Sequence, residues 1–191
     1  VPYFLVFFMM KIFLVSPKKN TENVLIGENT TKSLDNSMFA GELIERKDLK
    51  DGSFTDFPKV FLVYDTIALG TRNVSVENYD IRFSMIESIN NLEIRNNGLK
   101  NVKVIEKKIF FLGDNSDDFF KGFNECFEER KKSFYKDDGY IFTPVDSPYL
   151  TPGQKERFRI KSLSKFKDVC KFKPIEKRSI DFIVKDGVIY Y

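Results

Sequence analysis

The sequence predicts a mixed α+β domain, and three observations carry that prediction. Apolar runs of strand length recur along the chain, each bounded by glycine, proline or a polar turn. Only two stretches, Val76–Leu92 and Ser116–Tyr135, place apolar residues at helical spacing. The 191 residues are 42% hydrophobic and 31% charged, enough for one packed core and unlike a disordered chain.

The first fifteen residues are strongly apolar and do not begin with Met. Lys11 interrupts the run, which is too short to span a bilayer. It also lacks the basic start and small-residue cleavage site of a signal peptide. It therefore reads as two short strands, Tyr3–Phe8 and Lys11–Val15, and no membrane partner is expected. The missing Met suggests a fragment cut at its N-terminus. Lys18–Asn23 is a polar turn leading to a strand at Val24–Ile26, and Gly27-Glu28-Asn29-Thr30 is turn chemistry again. Met38–Glu45 reads as a strand and Lys47–Lys59, with Gly52 and Pro58, as a charged loop. Val60–Asp65 is a near-continuous apolar run, as expected of a central strand.

In Val76–Leu92 the residues Ile81, Met85, Ile86 and Ile89 share one helical face, with Ser75 or Asn78 as cap. Val102–Phe111 is strand-like, punctuated by Lys103, Lys107 and Lys108. In Ser116–Tyr135 the apolar stripe is Phe119, Phe120, Phe123, Cys126 and Phe127, and Glu128–Lys132 is its solvated end. Asp137-Asp138-Gly139 opens the strand Gly139–Pro144. A loop follows over Ser147–Gln154. Lys155–Lys173 is basic: a solvated surface or part of an RNA phosphate path. Ile180–Val184 and Val188–Tyr191 form a hairpin around Lys185-Asp186-Gly187. The chain stops on that strand, so the C-terminus also reads as cut.

Composition excludes much chemistry. With no histidine, neither a Ser-His-Asp triad, a Cys-His dyad nor a His-ligated zinc site can form. The two cysteines, Cys126 and Cys170, have no metal spacing, which suits a reducing, intracellular compartment. A net charge of +3 gives no global basic field. There is no internal repeat, P-loop or GxGxxG. Catalysis is left to Lys, Asp, Glu or a metal. Lys171 and Lys173 alternate on a strand, so their ammonium groups lie on one face while Phe172 turns into packing. Together with Asp138 at a neighbouring strand mouth they make a cage for a metal-bound polyphosphate. Glu42 follows Gly41, where another backbone can approach closely. Tyr64 ends an apolar strand and is either core or a platform for a purine.

The order of these elements carries a resemblance. Asp138-Gly139-Tyr140-Ile141-Phe142-Thr143-Pro144 resembles the "DGLIFTP" element of mRNA capping enzymes. Lys171-Phe172-Lys173-Pro174 with Ile180-Asp181-Phe182 resembles their "KWKP … TIDF" element. Phe39-Ala40-Gly41-Glu42-Leu43-Ile44 is similar to the "DGE" strand, and Phe61–Asp65 to the "FD" strand. The family is the GTP::RNA guanylyltransferases, within the covalent nucleotidyltransferases that include DNA and RNA ligases; the likeness is to members from large DNA viruses. It implies an ATP-grasp-like nucleotidyltransferase fold of two antiparallel sheets with flanking helices, the nucleotide between the sheets. One such domain would fill residues 1–191, with the family's C-terminal OB domain absent.

By resemblance, Glu42 would hold the ribose hydroxyls, Tyr64 would stack on guanine, and Lys108 would donate to guanine O6. Asp138 would organise metal (Mg2+ or Mn2+) and phosphate, while Lys171 and Lys173 would contact the α-phosphate. The substrates would be GTP and a 5′-diphosphate RNA end, with a fused or associated triphosphatase and methyltransferase as partners. Localisation would be the cytoplasm or nucleus, or a virion or viral factory. Three departures stand out. No Lys-x-Asp-Gly nucleophile motif precedes the "DGE" strand; Lys136-Asp137-Asp138-Gly139 has those letters but lies in the "DGLIF" element. Val1-Pro2-Tyr3-Phe4-Leu5 is similar to the family's residues immediately C-terminal to that motif, so the lysine is expected just before Val1. Ala40 replaces an Asp, and Pro2 falls where the family often has Arg. The OB domain is missing. The isolated chain is thus expected to bind GTP without forming the covalent adduct. The alternatives are an ATP-dependent polynucleotide ligase domain and a non-catalytic nucleotide- or RNA-binding subunit.

Overall fold

A computed structural model describes residues 2–17, 23–50, 56–95, 101–149, 170–173, 183–185 and 188–190. Its strands are β1 (Pro2–Phe8), β2 (Lys11–Val15), β3 (Val24–Glu28), β4 (Ser37–Glu45), β5 (Lys59–Leu69), β6 (Arg72–Asn73), β7 (Glu93–Ile94), β8 (Val102–Glu106), β9 (Tyr140–Phe142), β10 (Cys170–Phe172), β11 (Ile183–Lys185) and β12 (Val188–Tyr190). The helices are α1 (Tyr79–Ser84) and α2 (Ser116–Lys131). The fold is mixed α+β, dominated by one large sheet.

That sheet has the order β3-β2-β1-β4-β5-β8-β7, with β6 paired to β5. Successive side chains of a strand face opposite ways. Leu5 and Phe7, Phe39 and Leu43, Phe61 and Val63, and Val102 and Val104 therefore share one face and one core, completed by Ile86 and Ile89. The alternate residues Ile44, Val60 and Leu62 form a second cluster on the other face, covered by Leu49, Phe134 and Tyr135. The sheet is rolled. Its outermost strands, β3 and β7, pack together so closely that a Cβ on Gly27 would lie 2.6 Å from Ile94. At the β1–β2 hairpin Met9 and Met10 take φ of 49° and 57°, the left-handed pair that matches strand twist. The Met10 N–H donates to Asp35, and the Met10 carbonyl accepts from the Asn29 N–H.

The strand pattern agrees with the expectation except at element ends. β3 runs on through Gly27 and Glu28 because they pair with Ile12 and Lys11. β5 continues to Leu69, its extra length paired with β4 and β6. β8 stops at Glu106, not Phe111. α2 stops at Lys131, not Tyr135, because 133–136 turns to bond the loop at 48–50. The expected helix Val76–Leu92 is one α-helical stretch, Tyr79–Ser84, continued as a 3₁₀ turn, Met85–Ile89. Its buried face differs too: Ile81 is 41% exposed and Arg82 only 1%.

The main sheet is mixed, since β8 runs parallel to β5 where antiparallel pairing was expected. β9–β10 and β11–β12 are separate antiparallel pairs. The last has the register of the expected terminal hairpin, Lys185 opposite Val188. The basic stretch 155–169, Pro174 and Ile180-Asp181-Phe182 lie outside the described residues. Among the described residues no helix is long and apolar enough to cross a membrane.

Candidate functional site

β4 and β5 form the first half of the site. A Cβ on Gly41 would collide with the Phe61 ring and sit 2.7 Å from the Leu62 carbonyl oxygen, so only glycine lets the two strands lie this close. Glu42 follows on the other face, partly exposed beside Leu62. Gly41 pairs with Val63 and Ala40 with Asp65, which leaves Tyr64 as the extra residue of a β-bulge. Bulges re-aim side chains and recur beside active sites. The sequence carries no sign of this bulge, although it singles out Tyr64.

The parallel partner β8 brings up a third group. Lys107 donates its N–H to the Val63 carbonyl at 2.7 Å. Its Nζ lies 3.5 Å from the Glu42 carboxylate and 5.8 Å from the centre of the Tyr64 ring. Lys108 points elsewhere, to an ion pair with Glu129 of α2 at 2.5 Å. Lys108 and Lys132 together hold the Glu129 carboxyl down at about 2. The two adjacent lysines thus face different elements, and Lys107 is the one at the Tyr64 ring. Burial, helped by Tyr149, Glu42 and Asp65, pushes the Tyr64 phenol up to about 12, so the ring stays neutral.

Behind Tyr64 lies a buried ion pair. Arg82 Nε and Nη2 donate to the two Asp65 oxygens at 2.8 and 3.0 Å. Burial raises the Asp65 carboxyl above its usual value while Arg82 pulls it down. The Tyr79 hydroxyl donates to the Tyr64 carbonyl at 2.9 Å.

β9, β10 and α2 form the second half. Asn115 caps α2, accepting from the Asp118 N–H at 2.9 Å. Phe123 of α2 packs on Tyr140 and Phe142, and Arg130 pairs with Asp137 at 2.7 Å and stacks over Tyr140. The turn before β9 requires glycine: Gly139 has φ of 138°, and a Cβ there would collide with the Phe172 carbonyl. That crossing brings the two sequence motifs together. Lys173 pairs with Asp138 at 3.0 Å, and Lys171 stands opposite Ile141 in the β9–β10 register. Lys173 and, more weakly, Lys171 hold the Asp138 carboxyl below its usual range. Phe172, expected to be packed away, is 46% exposed beside Tyr140.

Tyr135 joins the halves and was not singled out from the sequence. It bridges to Leu49, and burial, with the charges of Asp137 and Glu42, pushes its phenol up to about 12. No sequence signal marked it, because its partners come from three separate segments.

Among the described residues no group of three or more acidic, Cys or His side chains could hold a metal alone. Asp138 fits a hard divalent cation bound chiefly by substrate phosphates, since such ions take one or two carboxylates and keep phosphate oxygens as ligands. A cavity of about 240 Å3 lies elsewhere, between the end of β3 and β7, and contains none of these residues.

The mixed α+β fold with one large sheet and few helices is consistent with a nucleotidyltransferase-type domain. The family model described as mRNA capping enzyme, catalytic domain, matches residues 4–163, and the chain belongs to that family. The family comprises mRNA guanylyltransferases, enzymes that work on GTP and RNA with a divalent metal ion. No curated protein matches the chain.

Proposed function

We propose that this chain forms the guanosine-phosphate site of an mRNA guanylyltransferase, which takes GMP from GTP through a lysine–GMP adduct and passes it to a diphosphate RNA end. The observation that carries this reading is the convergence of Asp138, Lys171 and Lys173 through the Gly139 crossing. Guanine stacks on Tyr64 and the ribose hydroxyls bond Glu42. Lys171 and Lys173 spread charge off the α-phosphate as a lysine amine attacks it and pyrophosphate leaves. Asp138 holds Mg2+ or Mn2+, which supplies further neutralisation of the phosphates when bound. The nucleotide lies between the main sheet and the β9–β10 pair, the latter acting as the second sheet of the fold.

Either Lys107 or Lys108 reads the guanine edge. The position of Lys107 above Tyr64 favours it over Lys108, which the family pattern selects. Because no Lys-x-Asp-Gly precedes the Glu42 strand within the 191 residues, the chain alone binds GTP without becoming labelled. The test is calorimetric titration of the chain with GTP and with ATP in Mg2+, alongside labelled GTP on a denaturing gel. Preference for GTP with no covalent band supports the reading. Preference for ATP would make it a ligase-type site, and a stable labelled band would show a nucleophile within these residues. Lys107→Met and Lys108→Met, compared for GTP against ATP, decide which lysine discriminates.

A further inference from the structure

Arg82 is 1% exposed, and its guanidinium joins three segments. Two bonds grip Asp65, the residue after Tyr64. Nη1 donates to the Glu77 carbonyl and, at 2.8 Å, to the Ser147 carbonyl. Two backbone bonds run alongside: the Tyr79 N–H donates to the Val145 carbonyl and the Tyr149 N–H to the Ser75 carbonyl, both at 2.7 Å. Residues 145–149 are thereby laid against the strand that carries Tyr64. They come shortly after β9, the strand opened by Asp138. Tyr149 stands near enough to Tyr64 to add to the upward push on its phenol.

Stability alone does not account for this arginine. Desolvating a guanidinium and a carboxylate is costly, and an apolar pair of the same volume serves a core as well or better. What the fork provides is geometry, since it can hold a carboxylate and two carbonyls at fixed angles.

We propose that Arg82 is a positioning residue for the nucleotide base: by gripping the Asp65 carboxylate and the Ser147 carbonyl at once, it sets Tyr149 against Tyr64 and ties the base platform to the segment that follows β9. This rests on the reading of Tyr64 as the base platform. Arg82 touches no substrate and acts through those two tyrosines.

The experiment uses the whole chain with Arg82→Lys, which keeps the charge and loses the fork. Three quantities are measured: affinity for GTP, affinity for inorganic tripolyphosphate with Mg2+, and amide exchange at Tyr79 and Tyr149 without ligand. The expected result is GTP affinity down about tenfold, the worth of one or two charged hydrogen bonds, tripolyphosphate affinity unchanged, and faster exchange at both amides. Equal loss for GTP and tripolyphosphate overturns the proposal, because a merely structural role weakens both. Unchanged exchange or unchanged GTP affinity also overturns it. Asp65→Asn is the milder second variant if Arg82→Lys does not fold, and absence of a selective GTP loss in it counts equally against the proposal. A wild-type chain that takes up tripolyphosphate but no GTP overturns the site reading and this role together, whereas unchanged exchange in Arg82→Lys overturns the role alone.

Discussion

The two halves of the site are built to different standards. The Tyr64 half stands on strands paired on both sides, braced by an arginine 1% exposed. The Asp138 half stands on two three-residue strands, and its central ion pair is open to water, Lys173 42% and Asp138 76% exposed. A flat, neutral base is recognised by a fixed plane, which needs a rigid support. A polyphosphate is recognised by charge, which tolerates movement and works from the surface. On the proposed function, the base would meet the braced half and the polyphosphate the half built on short strands, each matched to the part it meets.

The sharpest way to break the comparison is to remove one charge from each half. Arg82→Ala leaves Asp65 buried without its partner and is expected to cost about 3–5 kcal/mol of folding stability. Lys173→Ala, at an exposed pair, is expected to cost under about 1 kcal/mol. Denaturant midpoints of the two variants check this, and similar losses would mean that the halves are equally rigid.

Next in size is Gly139→Ala. Its Cβ would collide with the Phe172 carbonyl in a backbone geometry that strains any other residue. A strain of about 1–3 kcal/mol is expected to open β9–β10. Amide exchange within Tyr140–Phe142 then rises while that of β4 and β5 stays slow. Protection kept in β9 would show that the crossing is not what holds the motifs together.

Removing the lysines tests function more than stability. Lys171→Ala and Lys173→Ala are each expected to weaken GTP binding about tenfold, near 1.5 kcal/mol, and to reduce its salt dependence. Titrations at two salt concentrations measure both effects. The smallest expected effect is that of pH. The Asp138 carboxyl is depressed in the folded chain, so its pairing contributes fully above the ordinary aspartate range. The contribution fades as pH falls below about 4, through the depressed value. Stability of wild type against Asp138→Asn, followed from pH 6 to 2.5 (a window on the order of the carboxylate range), is expected to converge at the acid end.

Much of the fold was legible because strand runs announce themselves by composition. Val60–Asp65 and Lys11–Val15 are too apolar to lie on a surface, and β5 and β2 form there. The convergence of Asp138 with the lysine pair was legible from the glycine and from alternation. Arg82 was not. Apolar spacing put Ile81 on the buried face, and an arginine on such a helix reads as solvent-facing until its partner, seventeen residues earlier, is known. The bulge at Tyr64 and the different directions of Lys107 and Lys108 were hidden for the same reason: each is decided by cross-strand register, which a single chain of letters does not display.

The rolled sheet has a consequence for how molecules of this protein meet one another. An open sheet ends in strands whose unpaired amides and carbonyls invite a neighbour's strand, the usual first step of aggregation. Here the outermost strands β3 and β7 lie against each other through Gly27 and Ile94. Gly27 therefore bears on how closely these two edges meet: a larger side chain there would press on Ile94 and part the strands at that point.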